Sequence, residues 1–370
     1  MGKIPFLKPN VVTLELYKNY LLEIDNNQIY TNFGPLNKKF EERVLLEYFN
    51  NSGALTTVNN ATMGLTLAIA QLKRPNSKYA LMPSFTFSAT PLAALWCGLE
   101  PYFIDITDDD WSMSVVQLEQ VLKELGDEVA VVVPYATFGN FLDISFYQKI
   151  QESGIPVVID AAPCFGTSYN QKHFGQEFDG AVVFSFHATK PFGIGEGGMV
   201  YSQNVEIIRG IKTSSNFGYS GKRESIMLGT NAKMSEYYAA LGLATLDIYQ
   251  EKILKREQLY NMYIEEIENR GLLKRGWKVQ STTGRVPYQF FTILCPDGEK
   301  NQTYLEKLNN REIQSALYFS PACHQQKQFV VYPHANQMIT NDISSRVISL
   351  PFWEGMERDT VKYIINTLIE

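Results

Sequence analysis

Short apolar runs alternate with amphipathic stretches between residues 55 and 201, and this alternation restricts the possible folds more than any other feature of the chain. The apolar runs predict strands at Leu55–Val58, Tyr79–Met82, Glu100–Ile104, Val129–Pro134, Pro156–Ile159, Ala181–Phe186 and Met199–Tyr201. Helical patterns lie between several of them, at Thr62–Leu72, Ser88–Gly98, Ser114–Leu125 and Ile144–Ser153. Short buried strands bracketed by helices are typical of a mainly parallel sheet with helices on both faces. We therefore predict an α/β fold.

The pattern changes after Ser235. A long helix is predicted over Glu236–Arg270, with Gly271 as its stop, and it is followed by a strand at Tyr288–Cys295. Two further helices are predicted at Asn301–Asn309 and Arg358–Ile369. Since 370 residues exceed what one small core holds, we predict a large domain over residues 1–250 and a smaller C-terminal α+β domain over residues 251–370.

Composition excludes several classes of protein. A hydrophobic content of 45% and a charged content of 19% are those of an ordinary globular protein. The net charge of −6 does not favour binding to nucleic acid, and no run has the roughly 18 apolar residues of a membrane helix. We therefore expect neither nucleic acid nor a membrane as a partner. The N-terminus lacks the apolar stretch of a signal peptide, which favours a cytoplasmic location. Four cysteines without CxxC spacing indicate reduced thiols rather than disulfides or a metal site: Cys97, Cys164, Cys295 and Cys323.

Lys190 and Asp160 each follow the end of a predicted buried strand. Lys190 is followed by the glycine-rich segment 193–198, whose residues allow backbone to approach a ligand closely. An amine and an acid in these positions fit pyridoxal 5′-phosphate (PLP), because the amine can form a Schiff base with the aldehyde and the acid can keep the ring nitrogen protonated. Lys190 could then also carry a proton between substrate and cofactor. A helix N-cap is the alternative role for Asp160.

Other strand ends carry candidate cofactor ligands. Ala61, Thr62 and Met63 open a helix directly after a strand, where free N–H groups and the helix dipole favour an anion such as phosphate. An ordinary N-cap is the alternative. Ser185 could donate to the same phosphate. Phe87 could lie against a heteroaromatic ring or pack in the core, and His187 could contact substrate or be a packed imidazole.

In the order and spacing of these residues, the chain resembles the fold-type I PLP-dependent enzymes of the DegT/DnrJ/StrS type, which aminate nucleotide-linked keto sugars. The resemblance extends over essentially the whole chain. It is carried by Gly34-Pro35, Lys39-Phe40-Glu41-Glu42, Asn60-Ala61-Thr62-Met63, Ser84-Phe85-Thr86-Phe87, Asp160-Ala161-Ala162, Ser185-Phe186-His187-Ala188-Thr189-Lys190 and Gly195-Glu196-Gly197-Gly198. The Schiff-base segment ending in Lys190 is the most specific of these motifs.

The resemblance implies a mainly parallel seven-stranded sheet and a homodimer with shared active sites. It also implies PLP as cofactor, with pyridoxamine phosphate as its aminated form, and L-glutamate as amino donor. Asn216, in Asn216-Phe217-Gly218, would reach the cofactor phosphate of the neighbouring subunit. Substrate-binding roles would fall to His187, Asn231, Tyr318 and His324, and no metal is implied.

Three departures from the family pattern affect the site. Ala61 replaces the usual glycine of the phosphate turn, Pro163 replaces a glutamine that contacts the ring hydroxyl, and Lys233 replaces an arginine. Relatives with histidine at the Lys190 position dehydrate the sugar, so the lysine here favours amination.

The acceptor expected from overall resemblance is C4 of dTDP-4-keto-6-deoxy-D-glucose, and the product, dTDP-4-amino-4,6-dideoxy-D-glucose, would serve O-antigen (lipopolysaccharide) deoxyamino sugar biosynthesis. Amination at C3 of a dTDP-3-keto-6-deoxyhexose, UDP or GDP carriers, and PLP-dependent dehydratase or lyase chemistry stay open at this stage. So does a non-enzymatic sensor of sugar nucleotides.

Overall fold

The structure, a computed structural model, describes residues 2–370. Through residue 214 the helices are α1 (Leu14–Asn27), α2 (Pro35–Phe49), α3 (Ala61–Leu72), α4 (Ala89–Trp96), α5 (Val115–Leu125), α6 (Ile144–Glu152) and α7 (Val205–Ser214). The strands are β1 (Ala54–Val58), β2 (Tyr79–Pro83), β3 (Glu100–Ile104), β4 (Val129–Val132), β5 (Val158–Asp160), β6 (Ser168–Tyr169), β7 (Lys172–His173), β8 (Ala181–Ser185) and β9 (Gly198–Ser202). Every strand and helix predicted in this region is present, whereas α1, α2, α7 and the two-residue strands β6 and β7 were not predicted.

The large sheet has the strand order β1-β9-β8-β5-β4-β2-β3. Two hydrogen-bonded groups, β1-β9-β8-β5 and β3-β2-β4, are joined by parallel bridges from Val132 to Val157 and from Tyr135 to Asp160. Only β9 runs antiparallel to its neighbours in this sheet. The predicted mainly parallel seven-stranded sheet is therefore confirmed.

Both faces of this sheet are covered, which explains why its strands are apolar almost without interruption. Val182 and Phe184 point into a core formed with α2, α5, α6 and α8 (Glu236–Asn269). Val183, between them, points into a second core formed with α3, α4 and α7. Alternate side chains of one strand thus fill opposite cores, as the period of two in a strand requires.

Two glycines allow α3 to lie unusually close to the sheet. A Cβ atom on Gly198 would be 2.8 Å from the Ala61 amide nitrogen and 2.9 Å from the Asn60 carbonyl carbon. A Cβ on Gly64 would be 2.9 Å from a Val183 methyl group. The first turn of α3 can therefore approach the ends of β8 and β9.

The C-terminal part contains β10 (Lys278–Val279), β11 (Phe291–Leu294), α9 (Asn301–Asn310), α10 (Met338–Arg346), β12 (Val347–Leu350) and α11 (Arg358–Ile369). The three strands form an antiparallel sheet in the order β10-β11-β12. The N-terminal half of α8 packs into the large-sheet core and its C-terminal half into a core around β11 and β12. The division into residues 1–250 and 251–370 stays a prediction, although the change of core along α8 agrees with it.

The strand predicted at Tyr288–Cys295 begins later than expected, at Phe291. The carbonyl groups of Pro287, Tyr288 and Gln289 accept hydrogen bonds from the Arg256 side chain instead of from a neighbouring strand. A tertiary contact thus shortens the strand.

Within residues 2–370, no helix is both long and apolar enough to span a bilayer. The same part of the chain holds no cluster of three or more His, Cys, Asp or Glu residues arranged for a metal ion. The four cysteines are buried thiols that form no disulfide bond.

We expect Gly198→Ala to lower the free energy of unfolding by about 1–3 kcal/mol, because its methyl group must displace backbone atoms of Asn60 and Ala61. Urea denaturation followed by circular dichroism, in protein freed of ligand, measures this change. Gly2→Ala is the control, since a Cβ there meets nothing within 4 Å. Equal midpoints for the two variants would contradict the close approach of α3 to β9.

Candidate active site

A cavity of about 580 Å³ lies at the carboxyl ends of the parallel strands, the usual ligand site of open α/β sheets. Residues that follow β1, β4, β5 and β8 line it together with residues from the C-terminal part. The lining consists of Leu7, Asn60, Ala61, Thr62, Met63, Leu65, Phe87, Ala89, Tyr135, Asp160, Ala162, Ser185, His187, Thr189, Lys190, Glu196, Gln289, Phe290, Tyr318 and Phe319.

Lys190 lies in the turn after β8, and its side chain faces this cavity. Its Nζ donates a hydrogen bond to Gln289 Oε1 at 2.9 Å. Burial lowers the pKa of the Lys190 amine to about 8, although the nearby acidic groups Asp160 and Cys164 oppose the shift. The lowered pKa favours the neutral form of the amine, which is the nucleophilic one.

Asp160 ends β5 and is only 3% exposed. Its Oδ2 accepts from Thr90 Oγ1 at 2.6 Å, and its Oδ1 accepts from the Ala162 N–H at 3.1 Å. Burial raises the pKa of Asp160, while these two hydrogen bonds and the charge of Lys190 lower it. A buried carboxylate of this kind is stabilised by a cationic partner in the cavity.

The first turn of α3 presents backbone N–H groups beside the cavity. The Asn60 side chain caps the helix by accepting from the Met63 N–H at 2.9 Å. The first intrahelical bond runs from Gly64 to the Asn60 carbonyl, so the N–H groups of Ala61 and Thr62 precede the helical hydrogen-bond ladder. The Ser185 hydroxyl lines the same cavity.

Aromatic side chains form part of the cavity wall. Phe87 is 57% exposed, so it is not a core residue, and its ring centroid lies 6.5 Å from that of Phe319. Tyr318 stacks on Phe290 at 4.8 Å. Burial, and secondarily the charge of Asp160, raises the pKa of the Tyr135 phenol well above its usual value, so this group stays neutral.

His187 and Glu196 lie at the exposed rim of the cavity. His187 Nδ1 is 2.9 Å from Thr189 Oγ1, and its Nε2 is 3.7 Å from Glu196 Oε1. The imidazole is therefore oriented by neighbours but open to solvent. That placement leaves it available to a ligand.

Three of the predicted site residues do not line the cavity of their own chain. Asn216 accepts from Lys233 Nζ at 2.8 Å and forms a backbone bridge with Asn231, outside the cavity. His324 is buried, with Nδ1 2.6 Å from Ser84 Oγ and Nε2 3.1 Å from Asn341 Oδ1. Their roles toward cofactor or substrate remain predictions.

Sequence reasoning assigned no role to several residues that complete the cavity. Tyr135 lies three residues after the end of β4 and bridges to Asp160, so the same strand-end argument that identified Asp160 could have found it. Gln289 and Leu7 come from segments far along the chain from Lys190, and no local pattern signals such contacts. Thr90 is close in sequence to Phe87, which was predicted as a site residue. Its hydrogen bond to Asp160 was not predicted because the two residues are seventy positions apart in the sequence.

These groups fit PLP. Lys190 offers an amine to the aldehyde, and the buried Asp160 carboxylate offers a counter-charge to a protonated ring nitrogen. The start of α3 and Ser185 offer donors to the phosphate.

Comparison with known proteins agrees with this site. A sequence profile of the DegT/DnrJ/EryC1/StrS aminotransferase family matches residues 14–369. A solved structure from Bacillus cereus ATCC 10987, assigned as a PLP-dependent aminotransferase, is 49% identical, with a TM-score of 0.98 and 100% of each chain covered. The dTDP-4-amino-4,6-dideoxy-D-glucose transaminase of Escherichia coli is 28% identical over 99% of this chain and 98% of that protein. The GDP-perosamine synthase of Vibrio cholerae is 29% identical over 85% of each chain.

The family profile covers nearly all of the chain, and the cavity holds the amine and the carboxylate that PLP chemistry needs. The chain therefore belongs to the DegT/DnrJ/EryC1/StrS aminotransferase family and is a PLP-dependent aminotransferase.

Proposed function

We propose that this enzyme transfers the amino group of L-glutamate to C4 of dTDP-4-keto-6-deoxy-D-glucose, giving dTDP-4-amino-4,6-dideoxy-D-glucose. The observation that carries the transfer is the Lys190 amine, which faces the same cavity as the buried Asp160 carboxylate. The choice of sugar is supported by the similarity to the Escherichia coli transaminase over almost the full length of both chains. Apolar residues in the wall, including Leu7, Phe290 and Phe319, suit the methyl group of a 6-deoxy sugar.

Bound PLP supplies an aldehyde that takes up the amino group and a ring that withdraws electrons from the reacting carbon. The Asp160 carboxylate would keep a proton on the ring nitrogen and thereby maintain that electron withdrawal. Lys190 provides the amine that anchors the cofactor and, when free, moves a proton to and from the reacting carbon. The first-turn amides of α3 and the Ser185 hydroxyl would hold the phosphate, and Phe87 would contact the ring.

We also propose that the enzyme is a homodimer with shared sites. Asn216 lies outside the cavity of its own chain and is held by Lys233. Its placement is compatible with a contact to the cofactor phosphate of a neighbouring subunit. The exposed apolar residues around it, Phe217, Ile226 and Leu228, would be covered by that subunit.

The role of Lys190 can be tested by the visible absorbance of protein incubated with PLP. We expect a band from lysine-bound cofactor in the wild type and its complete loss in Lys190→Ala. Lys274→Ala, a change at an exposed lysine, should retain the band. A Lys190→Ala variant that keeps the wild-type band would refute the assignment.

The role of Asp160 can be tested in the half-reaction with glutamate alone. Wild-type enzyme should release one 2-oxoglutarate per active site, measured in a single turnover. We expect Asp160→Asn to slow this release about 100-fold or more, because an amide cannot keep the ring nitrogen charged. Asp127→Asn, at an exposed carboxylate, is the control. An equal rate in Asp160→Asn would show that the carboxylate has no part in electron withdrawal.

The acceptor can be identified by incubating enzyme and glutamate with keto sugars carried by dTDP, UDP and GDP. Mass spectrometry should detect the aminated dTDP product, and NMR should place the nitrogen on C4. A GDP-linked product is the second candidate, since the Vibrio cholerae relative is named for a GDP sugar. Nitrogen on C3, or loss of a hydroxyl without nitrogen uptake, would contradict the proposed acceptor.

A further inference from the structure

Gln289 makes the direct side-chain contact to Lys190. Its Oε1 accepts from Lys190 Nζ at 2.9 Å, and the residue is only 3% exposed although it lines the cavity. A protonated lysine can only donate, so the oxygen of the carboxamide, and not its NH₂ group, must face Nζ. The contact joins the C-terminal part of the chain to the loop after β8.

Gln289 is itself held in place through its backbone. Arg256, on α8, donates through Nε to the carbonyls of Pro287 and Tyr288 at 3.2 and 2.7 Å and through Nη2 to that of Gln289 at 3.1 Å. Arg256 Nη1 lies 3.1 Å from Glu354 Oε1, and both side chains are buried. All three nitrogens of this guanidinium donate hydrogen bonds, and two of them hold three consecutive carbonyls, which leaves little freedom to the residue that carries Oε1.

We propose that Gln289 is a positioning residue for Lys190. Its carboxamide oxygen fixes Nζ in the cavity, and Arg256 fixes the backbone from which the Gln289 side chain extends. The inference rests on the proposed role of Lys190 as the anchoring and proton-carrying amine. A neutral acceptor orients the amine in both protonation states without adding charge. A carboxylate in its place would hold the amine protonated.

The charged and titratable groups around Lys190 come from several elements. Those that share its cavity or act on its charge are Asp160, Cys164, Tyr135, His187 and Glu196. On its other side a small crevice that Lys190 also lines is bordered by Lys8, Lys252, Arg256 and Glu354. Gln289 is uncharged and bonds directly to Nζ. A negative charge introduced at this position should therefore raise the pKa of Lys190.

Substitutions at Gln289 should therefore move the pKa of Lys190 in opposite directions. Gln289→Met keeps the length of the side chain but removes the oxygen, so the protonated amine loses a partner and its pKa falls by about one unit. Gln289→Glu places a carboxylate against Nζ and raises the pKa by about one unit or more. Misfolding alone would not produce shifts of opposite sign.

The experiment uses the aminated holoenzyme, in which Lys190 is free. Acetic anhydride is added at a series of pH values, and acetylation of the peptide containing Lys190 is measured by mass spectrometry. The pH midpoint of Lys190 acetylation in the wild type is the reference for both variants. The Met variant should give a lower midpoint and the Glu variant a higher one. In Gln289→Met we also expect kcat to fall about tenfold with KM for glutamate little changed, since positioning, not binding, is lost.

Gln250→Glu, which adds the same charge at an exposed position beside Arg285, is the matched control and should leave the midpoint unchanged. Equal acetylation midpoints in the wild type and both Gln289 variants would overturn the positioning role of Gln289. They would leave the proposed role of Lys190 intact. Borohydride reduction of wild-type enzyme with PLP, followed by peptide mass spectrometry, tests the underlying assignment separately. If Lys190 carries no added mass there, the proposed function fails and this inference fails with it.

Discussion

The site depends on holding an amine and a carboxylate together in a cavity that solvates neither well. Burial lowers the pKa of Lys190 to about 8 and raises that of Asp160, so each group is pushed toward its neutral form, while their mutual attraction opposes both shifts. Thr90 and the Ala162 amide keep Asp160 stabilised as a carboxylate. The result is an amine of lowered pKa and a buried, hydrogen-bonded carboxyl group at one edge of the sheet.

The sheet makes this arrangement possible because its parallel strands end at a common edge. β5 delivers Asp160, β8 delivers Ser185 and the loop to Lys190, and β1 leads into the capped start of α3. Gly64 and Gly198 allow that helix to lie against β8 and β9, so its N–H groups reach the same cavity. The C-terminal part then closes the cavity through Gln289, Phe290 and Phe319.

The sequence predicted the large sheet well, because strands buried on both faces are apolar throughout and their ends are marked by polar or glycine residues. It predicted Lys190, Asp160, Phe87 and Ser185 as neighbours for the same reason, and all four line one cavity. It did not predict α1, α2 or α7. It also set the start of β11 too early, because the carbonyls of residues 287–289 bind the Arg256 side chain, which lies about thirty positions away in the sequence. Contacts of this kind, like the one between Gln289 and Lys190, arise only when distant segments meet.

A crystal structure of the protein grown with PLP would show whether Lys190 and Asp160 together hold the cofactor. We expect continuous electron density from Lys190 Nζ to the cofactor, with a carboxylate oxygen of Asp160 about 2.8 Å from the ring nitrogen. Attachment of the cofactor to a different lysine, or a ring nitrogen that faces away from Asp160, would contradict it.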